Sequence, residues 1–100
     1  MRASRAAIRP AVAPDVREHA GSLPPIMLKI RWCESRNDYT AQNRRSSASG
    51  AWQFLDSSWA HYAGYPRAYL APPEVQDQKA LNVYNSVGTR PWNASRSCWA

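Results

Sequence analysis

Apolar residues recur at three- and four-residue spacing in two stretches of the chain, and each stretch is predicted to form a helix. The first follows the pair Pro24-Pro25 and runs to about Arg36. Proline favours a helix start because it needs no N–H partner in the first turn. The second runs from Glu74 to Gly88, and its apolar stripe consists of Ala80, Leu81, Tyr84 and Val87.

The segments between and after these helices carry weaker patterns. Residues 37–50 are polar and predict a loop or a short hairpin, and Asp56-Ser57-Ser58 should cap a short helix reaching Tyr62 or Ala63 before Gly64. Residues 65–73 form a proline-rich connector, and residues 90–100 are expected to be an extended tail. The fold class is therefore mainly α, small α+β at most, with about three helices.

The N-terminal part has a different character. Residues 1–23 are rich in Ala, Arg and Pro with little apolar periodicity, which predicts a flexible leader, or a short helix around residues 15–20. Residues 24–100 are expected to form one small domain. The chain has no apolar run near the 18 or so residues of a membrane span, and its N-terminus has no signal-peptide core.

The charge balance favours an anionic partner. Thirteen Lys and Arg against seven Asp and Glu give a net charge of +6, which suits nucleic acid, a membrane surface or a bacterial cell wall. Solubility alone would explain the same charge equally well. The basic residues form no block, which argues against a nucleic-acid-binding arm. Five Trp and five Tyr are enough to build a core and also supply a groove.

Two cysteines, Cys33 and Cys98, stand far apart in the sequence. His19 and His61 lack metal-ligand spacing, so no metal site is predicted. The cysteines form either a disulfide or two buried free thiols. A disulfide closing so long a loop would stabilise the fold by about 4 kcal/mol in the chain-entropy model and would favour an exported protein.

Glu34 is the candidate general acid. It lies at the predicted end of the first helix beside a cysteine and near aromatic residues, where partial desolvation would raise its pKa and keep it protonated. The alternative is an ordinary solvated surface glutamate. No second carboxylate has a distinctive setting: Asp38 lies in the polar loop, Asp56 is expected to be a helix cap, and Asp77 is placed on the polar side of the last helix.

A single acid restricts the chemistry. Ordinary glycosidases use two carboxylates, about 5 Å apart when they retain configuration and about 6.5–9.5 Å apart when they invert it. One acid is enough where the substrate supplies its own nucleophile, as in lytic transglycosylases, which close a 1,6-anhydro ring on muramic acid.

A second segment has groove-like features. Gly50 allows a turn with positive φ, and Gln53 can both donate and accept hydrogen bonds, the alternative being a buried structural amide. The hydroxyl of Ser35 could bond locally. Ring faces for sugar could come from Trp52, Tyr39 and Trp92, although aromatic residues more often build the core, to which we assign Phe54, Leu55 and Trp59.

Successive blocks of the chain resemble the transglycosylase-like domain of the resuscitation-promoting-factor type, a small relative of lysozyme. The blocks are Cys33-Glu34-Ser35, Tyr39-Thr40-Ala41, residues 49–59 from Ser49-Gly50-Ala51-Trp52-Gln53 to Trp59, residues 71–77, Pro91-Trp92 and Cys98-Trp99. The resemblance implies a compact lysozyme-like domain closed by a Cys33–Cys98 disulfide. It also implies that Glu34 is the catalytic acid, that Gln53 contacts substrate and that Ser58 faces the groove where threonine is usual.

The chain departs from the family's usual features in two respects. Arg36 and Asn37 replace the usual small residues after the Glu-Ser pair, and the chain shows no signal peptide.

Tyr84-Asn85 is similar to the Tyr-Asn pair of larger lytic transglycosylases, in which the tyrosine assists the acid.

The predicted function is therefore cleavage of the MurNAc–GlcNAc β-1,4 bond of peptidoglycan, as a lytic transglycosylase or muramidase with one Glu as general acid and base and no cofactor. The alternative is a wall-binding or signalling module without turnover. We expect no nucleic-acid partner, no membrane insertion, and a monomer. The expected location is extracellular or cell-wall-associated, and a phage-borne lytic module would remove the conflict with the missing signal peptide.

Overall fold

The computed structural model describes residues 23–100. Its α-helices are α1 (Pro25–Ser35), α2 (Asp56–Trp59), α3 (Pro73–Val87) and α4 (Arg96–Trp99), and its 3-10 helices are Tyr62–Gly64, Ala68–Leu70 and Arg90–Ser95. Extended pairing within residues 23–100 is limited to the isolated bridges Gln42–Ser49 and Ser49–Phe54. The predicted mainly α class is confirmed. The leader, with its candidate helix around residues 15–20, lies outside the described residues except for Leu23, which is buried in the core.

The two long helices begin and end where the sequence predicts. Helix α1 starts at Pro25, and the N–H of Arg36, in the left-handed conformation at φ 58°, donates to the carbonyl of Trp32. Helix α3 starts at Pro73 and is followed by Gly88, at φ 70°. Within the described residues no helix combines the length and apolarity needed to cross a bilayer.

Helix α2 is shorter than predicted and is not capped by its own residues. Asp56 is already helical, and its N–H donates to Oγ of Ser47 at 2.9 Å while its carboxylate accepts from Arg67 at 3.0 Å. The helix ends at Trp59 because Ala60 and His61 both adopt left-handed φ values of 53°. The cap is therefore supplied by the polar loop, a contact that local sequence does not reveal.

The C-terminal tail is helical, so the prediction of an extended segment is wrong. Residues Arg90–Ser95 form a 3-10 helix with a kink at Trp92, and α4 follows directly. Trp92 and Trp99 are seven residues apart, about two helical turns, and both are buried. The segment packs against α1, and burial of these two rings accounts for its helical form.

A disulfide joins α1 to α4. Cys33 and Cys98 are bonded with their Cα atoms 6.0 Å apart, across a sequence separation of 65 residues. The predicted pairing is confirmed. It places the C-terminal segment beside the residue that follows Cys33, which is Glu34.

The core is built mainly from aromatic and small residues. Leu55, which we assigned to it, is 45% exposed because it precedes α2 as its N-cap. The tryptophan and phenylalanine rings of the core contact one another at centroid distances between 5.8 and 6.1 Å. The buried cluster consists of Leu23, Met27, Ile30, Ala51, Trp52, Phe54, Trp59, Ala68, Ala71, Ala80, Trp92 and Trp99.

The turn at residues 50–53 requires glycine at its first position. Gly50 has φ +79°, and a Cβ there would lie 2.5 Å from Oε1 of Gln76. Buried Gln76 accepts from the N–H of Ala51 at 2.9 Å and donates to the carbonyls of Tyr39 and Ala71. The close approach at Gly50 is thus made to a protein side chain, that of Gln76, which was not identified from the sequence.

Candidate active site

The carboxyl group of Glu34 lies in the last turn of α1, half-buried between that helix and the C-terminal segment. Its Oε2 accepts a hydrogen bond from Oγ of Ser95 at 2.5 Å. Within residues 23–100 no side chain or backbone group bonds to its Oε1, and no cation pairs with it. One oxygen is therefore held by Ser95, and the other has no partner among the described residues.

Burial is the main influence on the acidity of Glu34. Desolvation raises the pKa of this carboxyl above its ordinary value of 4.5, and the hydrogen bond from Ser95 opposes that rise. A raised pKa keeps a larger fraction of the group protonated toward neutral pH, which is the state a proton donor requires. The expected partial desolvation of Glu34 is confirmed.

Ser95 was not identified from the sequence. Its hydroxyl also lies 3.1 Å from the carbonyl of Trp92 and accepts from Nε1 of Trp99 at 3.0 Å. Nε1 of Trp99 in addition lies 3.3 Å from the carbonyl of Trp92. The disulfide is the sequence feature that points to Ser95. Cys98 is bonded to Cys33, the residue before Glu34, and Ser95 stands three residues before Cys98.

Asp77 is buried, not on the polar side of α3 as predicted. Its carboxylate accepts from Nη1 of Arg31 at 3.3 Å, from the hydroxyl of Tyr39 at 3.0 Å and from Nε1 of Trp52 at 3.0 Å. Burial first, and the negative charge of Asp77 second, raise the pKa of Tyr39. Four elements of the fold are joined at this carboxylate.

The other candidate carboxylates are also engaged. Asp38 is exposed and accepts from the N–H and the hydroxyl of Thr40, both at 2.9 Å. Asp56 forms an ion pair with Arg67 and is not a side-chain cap. Among the three aspartates considered from the sequence, none is left without a partner in the described part of the chain.

The Gly50 turn is tied to the end of α1 through Ser35. Oγ of Ser35 donates to the carbonyl of Ala51 at 2.8 Å and accepts from the N–H of Asp38 at 3.0 Å. Two residues beyond Ala51, Gln53 has φ 54° and is partly exposed, and its Nε2 donates to the carbonyl of Gly50 at 3.0 Å. Its Oε1 has no donor within residues 23–100.

Two of the proposed sugar platforms are in the core. Trp52 is 0% exposed and Trp92 is 2% exposed. Nε1 of Trp92 donates to the carbonyl of Trp52 at 3.1 Å, and the two ring centroids are 5.8 Å apart. Neither ring offers a face to a ligand. The expectation that they stack on sugar is therefore wrong: both rings are part of the core.

The remaining candidates differ in accessibility. The hydroxyl of Tyr39 is occupied by Arg31 and Asp77, so only part of its ring is available. Ser58 is exposed on α2, and Tyr84 on α3 is partly buried against the core. Neither of these two hydroxyls has a hydrogen-bond partner within the described part of the chain. The described residues also contain no cluster of three or more side chains suited to a metal ion.

Together the fold and the site define a small helical domain with one half-buried carboxylic acid at the end of a disulfide-tethered helix. Residues 26–95 match the family model described as "Transglycosylase-like domain", and the chain belongs to that family. No solved structure shows significant similarity to the chain.

Curated relatives of the chain include probable transglycosylases of staphylococci. "Probable transglycosylase SceD" of Staphylococcus haemolyticus is 42% identical over 71 residues, which cover 66% of this chain and 30% of the relative. "Probable transglycosylase SceD 2" of Staphylococcus saprophyticus is 44% identical over 71 residues, covering 66% and 28%. The SceD protein of Staphylococcus aureus strain Newman is 41% identical, covering 66% and 30%. The match thus spans about 30% of the length of these relatives.

Proposed function

We propose that this domain cleaves the glycan strand of peptidoglycan at the MurNAc–GlcNAc β-1,4 bond as a lytic transglycosylase, with Glu34 as its only general acid and base. The observation that carries the proposal is the contrast around Glu34. Its carboxyl is half-buried with a raised pKa and one free oxygen, while Asp38, Asp56 and Asp77 are bound elsewhere.

The reaction requires one group to act twice. Protonated Glu34 donates to the bridging glycosidic oxygen, and the bond from that oxygen to C1 of the muramic acid breaks. The C6 hydroxyl of the same sugar then attacks C1, and the Glu34 carboxylate takes up the hydroxyl proton. The products are a 1,6-anhydro sugar and a shortened strand, and the acid is restored without water or a second carboxylate.

Three groups on the described surface suit this substrate. Because Nε2 of Gln53 is held by the Gly50 carbonyl, its Oε1 is presented as an acceptor, which fits the N–H of an N-acetyl group. The exposed hydroxyl of Ser58 and the partly buried one of Tyr84 are further candidates for sugar contacts. The net charge of +6 favours an anionic wall.

The finer assignment within the family and the location are part of the same proposal. The sequence blocks from Cys33-Glu34-Ser35 to Cys98-Trp99 support a domain of the resuscitation-promoting-factor type. The Cys33–Cys98 disulfide supports action outside a reducing cytoplasm, at the cell wall.

Mass spectrometry of material released from purified cell walls tests the reaction. The wild-type protein and the control Glu74→Gln should release fragments with anhydro-muramic ends. The Glu34→Gln variant should lose about 100- to 10,000-fold in rate because general acid–base catalysis contributes that much.

Two other results would contradict the proposal. Reducing ends from the wild-type protein would indicate hydrolysis, as in a muramidase, instead of ring closure. Cosedimentation with walls but no release of fragments at any pH would indicate a wall-binding module without turnover.

A further inference from the structure

The hydroxyl of Ser95 has one proton and three neighbours. Oε2 of Glu34 lies 2.5 Å away, the carbonyl of Trp92 lies 3.1 Å away, and Nε1 of Trp99 donates to it from 3.0 Å. The proton can go to only one of the two acceptors. The acceptor that receives this proton determines which oxygen of Glu34 carries the acid proton.

Two features direct the Ser95 proton to Glu34. The distance from Oγ of Ser95 to Oε2 of Glu34 is 2.5 Å, shorter than the 3.1 Å to the carbonyl of Trp92. A carboxylate is also the stronger acceptor, because hydrogen bonds to an ionised group are shorter and stronger than those to a neutral carbonyl. The donor sequence is then Trp99 to Ser95 to Glu34, and each link strengthens the next.

We propose that Ser95 is a positioning residue for Glu34, donating its hydroxyl proton to Oε2 so that the acid proton is carried on Oε1. The inference rests on the proposed function, since it concerns the group that serves there as acid. A proton on Oε2 would oppose the hydroxyl of Ser95, whereas one on Oε1 meets no protein group within residues 23–100. Oε1 is therefore the oxygen that transfers the proton to substrate and takes it back.

The position of Ser95 depends on contacts that hold the C-terminal segment in place. Trp92 and Trp99, on either side of it, are buried, and the Cys33–Cys98 disulfide fixes α4 to the helix that carries Glu34. Ser95 thus belongs to the same packed unit as the acid, so the donor geometry is set before substrate arrives.

Few other charges compete for Glu34. Arg31 on the same helix pairs with Asp77, and Arg36 lies over the ring of Trp32, with 5.0 Å from its guanidinium carbon to the ring centroid. The remaining charged groups on α1, the turn after it and the C-terminal segment are exposed: Lys29, Asp38, Arg90 and Arg96. The hydrogen bond from Ser95 is the specific interaction that opposes the effect of burial on Glu34.

The test is the pKa of Glu34, followed by carbon-13 NMR of its carboxyl in the wild-type protein and in Ser95→Ala. If Ser95 is the donor, its loss removes a bond to the charged form, and the pKa of Glu34 rises. The alkaline limb of kcat/KM on cell walls should move to higher pH with it, and kcat should fall about tenfold or more. Ser95→Thr should restore the wild-type values.

Two further variants complete the comparison. Trp99→Phe removes the N–H that donates to Ser95 and should shift the pKa of Glu34 in the same direction by less. Ser97→Ala, which changes an exposed serine of α4, should alter neither the pKa of Glu34 nor the rate of glycan cleavage.

The sign of the shift decides the outcome. A lower or unchanged pKa of Glu34 in Ser95→Ala would overturn the inference, because Ser95 would then accept from Glu34 or act only in packing. A wild-type protein that releases no glycan fragments would instead overturn the proposed function, while the NMR shift would still report on the donor role of Ser95.

Discussion

The carboxyl groups of Glu34 and Asp77 lie on different helices of one small domain, and their surroundings differ in nearly every respect. Asp77 is 4% exposed and accepts from Arg31, Tyr39 and Trp52. Glu34 is half-buried, accepts from Ser95 alone and pairs with no cation within the described residues. The comparison separates a carboxylate that joins several elements of the fold from a carboxyl that has a single donor.

The physical reason is the relation between solvation and proton affinity. Desolvation raises the free energy of a charged carboxylate unless donors or cations replace the lost water. At Asp77 three side chains replace the lost water, and the carboxylate joins α1, the loop, the Gly50 turn and α3. At Glu34 one hydroxyl replaces the lost water only in part, so the carboxyl group holds its proton more tightly.

The largest expected effect comes from the disulfide, which anchors the Glu34 side of the comparison. Replacing Cys33 and Cys98 together with Ser should lower the free energy of unfolding by about 4 kcal/mol, since the bond closes a 65-residue separation. Urea denaturation measures the loss. Amide exchange should accelerate more at residues 95–100 than around Asp77; equal acceleration in both regions would show that the disulfide does not specifically hold the acid's surroundings.

The next largest effect tests the structural role of Asp77. Asp77→Asn leaves the guanidinium of Arg31 without its charge partner, which should cost about 3 kcal/mol, as for one half of a buried ion pair. Asp56→Asn is the matched control. In its ion pair with Arg67, the side chain of Arg67 is 30% exposed and that of Asp56 is 43% exposed, so the pair should contribute about 0.2–1 kcal/mol. Equal losses in the two variants would remove the distinction between a buried and an exposed carboxylate.

The smallest effect tests whether Glu34 is held in its site at a cost to stability. Its pKa is raised on folding, so the native state keeps the proton over a range in which the unfolded chain has lost it. Stability should therefore fall as pH rises from the unfolded pKa through the folded one. Glu34→Gln removes this dependence and should be more stable than wild type at pH 7, by less than about 1 kcal/mol given the solvent screening of a half-exposed group.

Thermal unfolding at several pH values measures this difference. The two proteins should converge in stability below the ordinary glutamate pKa of 4.5, where both carry a neutral side chain. A wild-type protein that becomes the more stable of the two as pH rises would show that folding favours the ionised form.

The sequence predicts the parts of the fold that depend on local signals. Proline at the start and an apolar stripe define both α1 and α3, and glycine marks the end of α3. The disulfide was implied by resemblance to a family and is present. Glu34 was expected to be partly desolvated at the end of α1, beside a cysteine and near aromatic residues, with a solvated surface glutamate as the alternative, and its side chain is half-buried.

The rest depends on contacts distant in sequence. Asp77 was placed in solvent because only apolar residues were used to define the buried stripe of α3. Gln76 and Asp77 stand four and three residues before Ala80, on the same face, and their polarity marks a buried hydrogen-bond network. Ser95 was missed for a related reason: the segment around it becomes helical only when two tryptophans pack against α1.

The most direct test of the account is the titration of the Glu34 carboxyl in the wild-type protein, compared with the pH dependence of glycan cleavage. The account predicts a pKa above 4.5 for Glu34 and an alkaline limb of kcat/KM that falls at the same pH. A carboxyl that titrates at or below 4.5, or an activity that survives well above the pH at which Glu34 loses its proton, would contradict it.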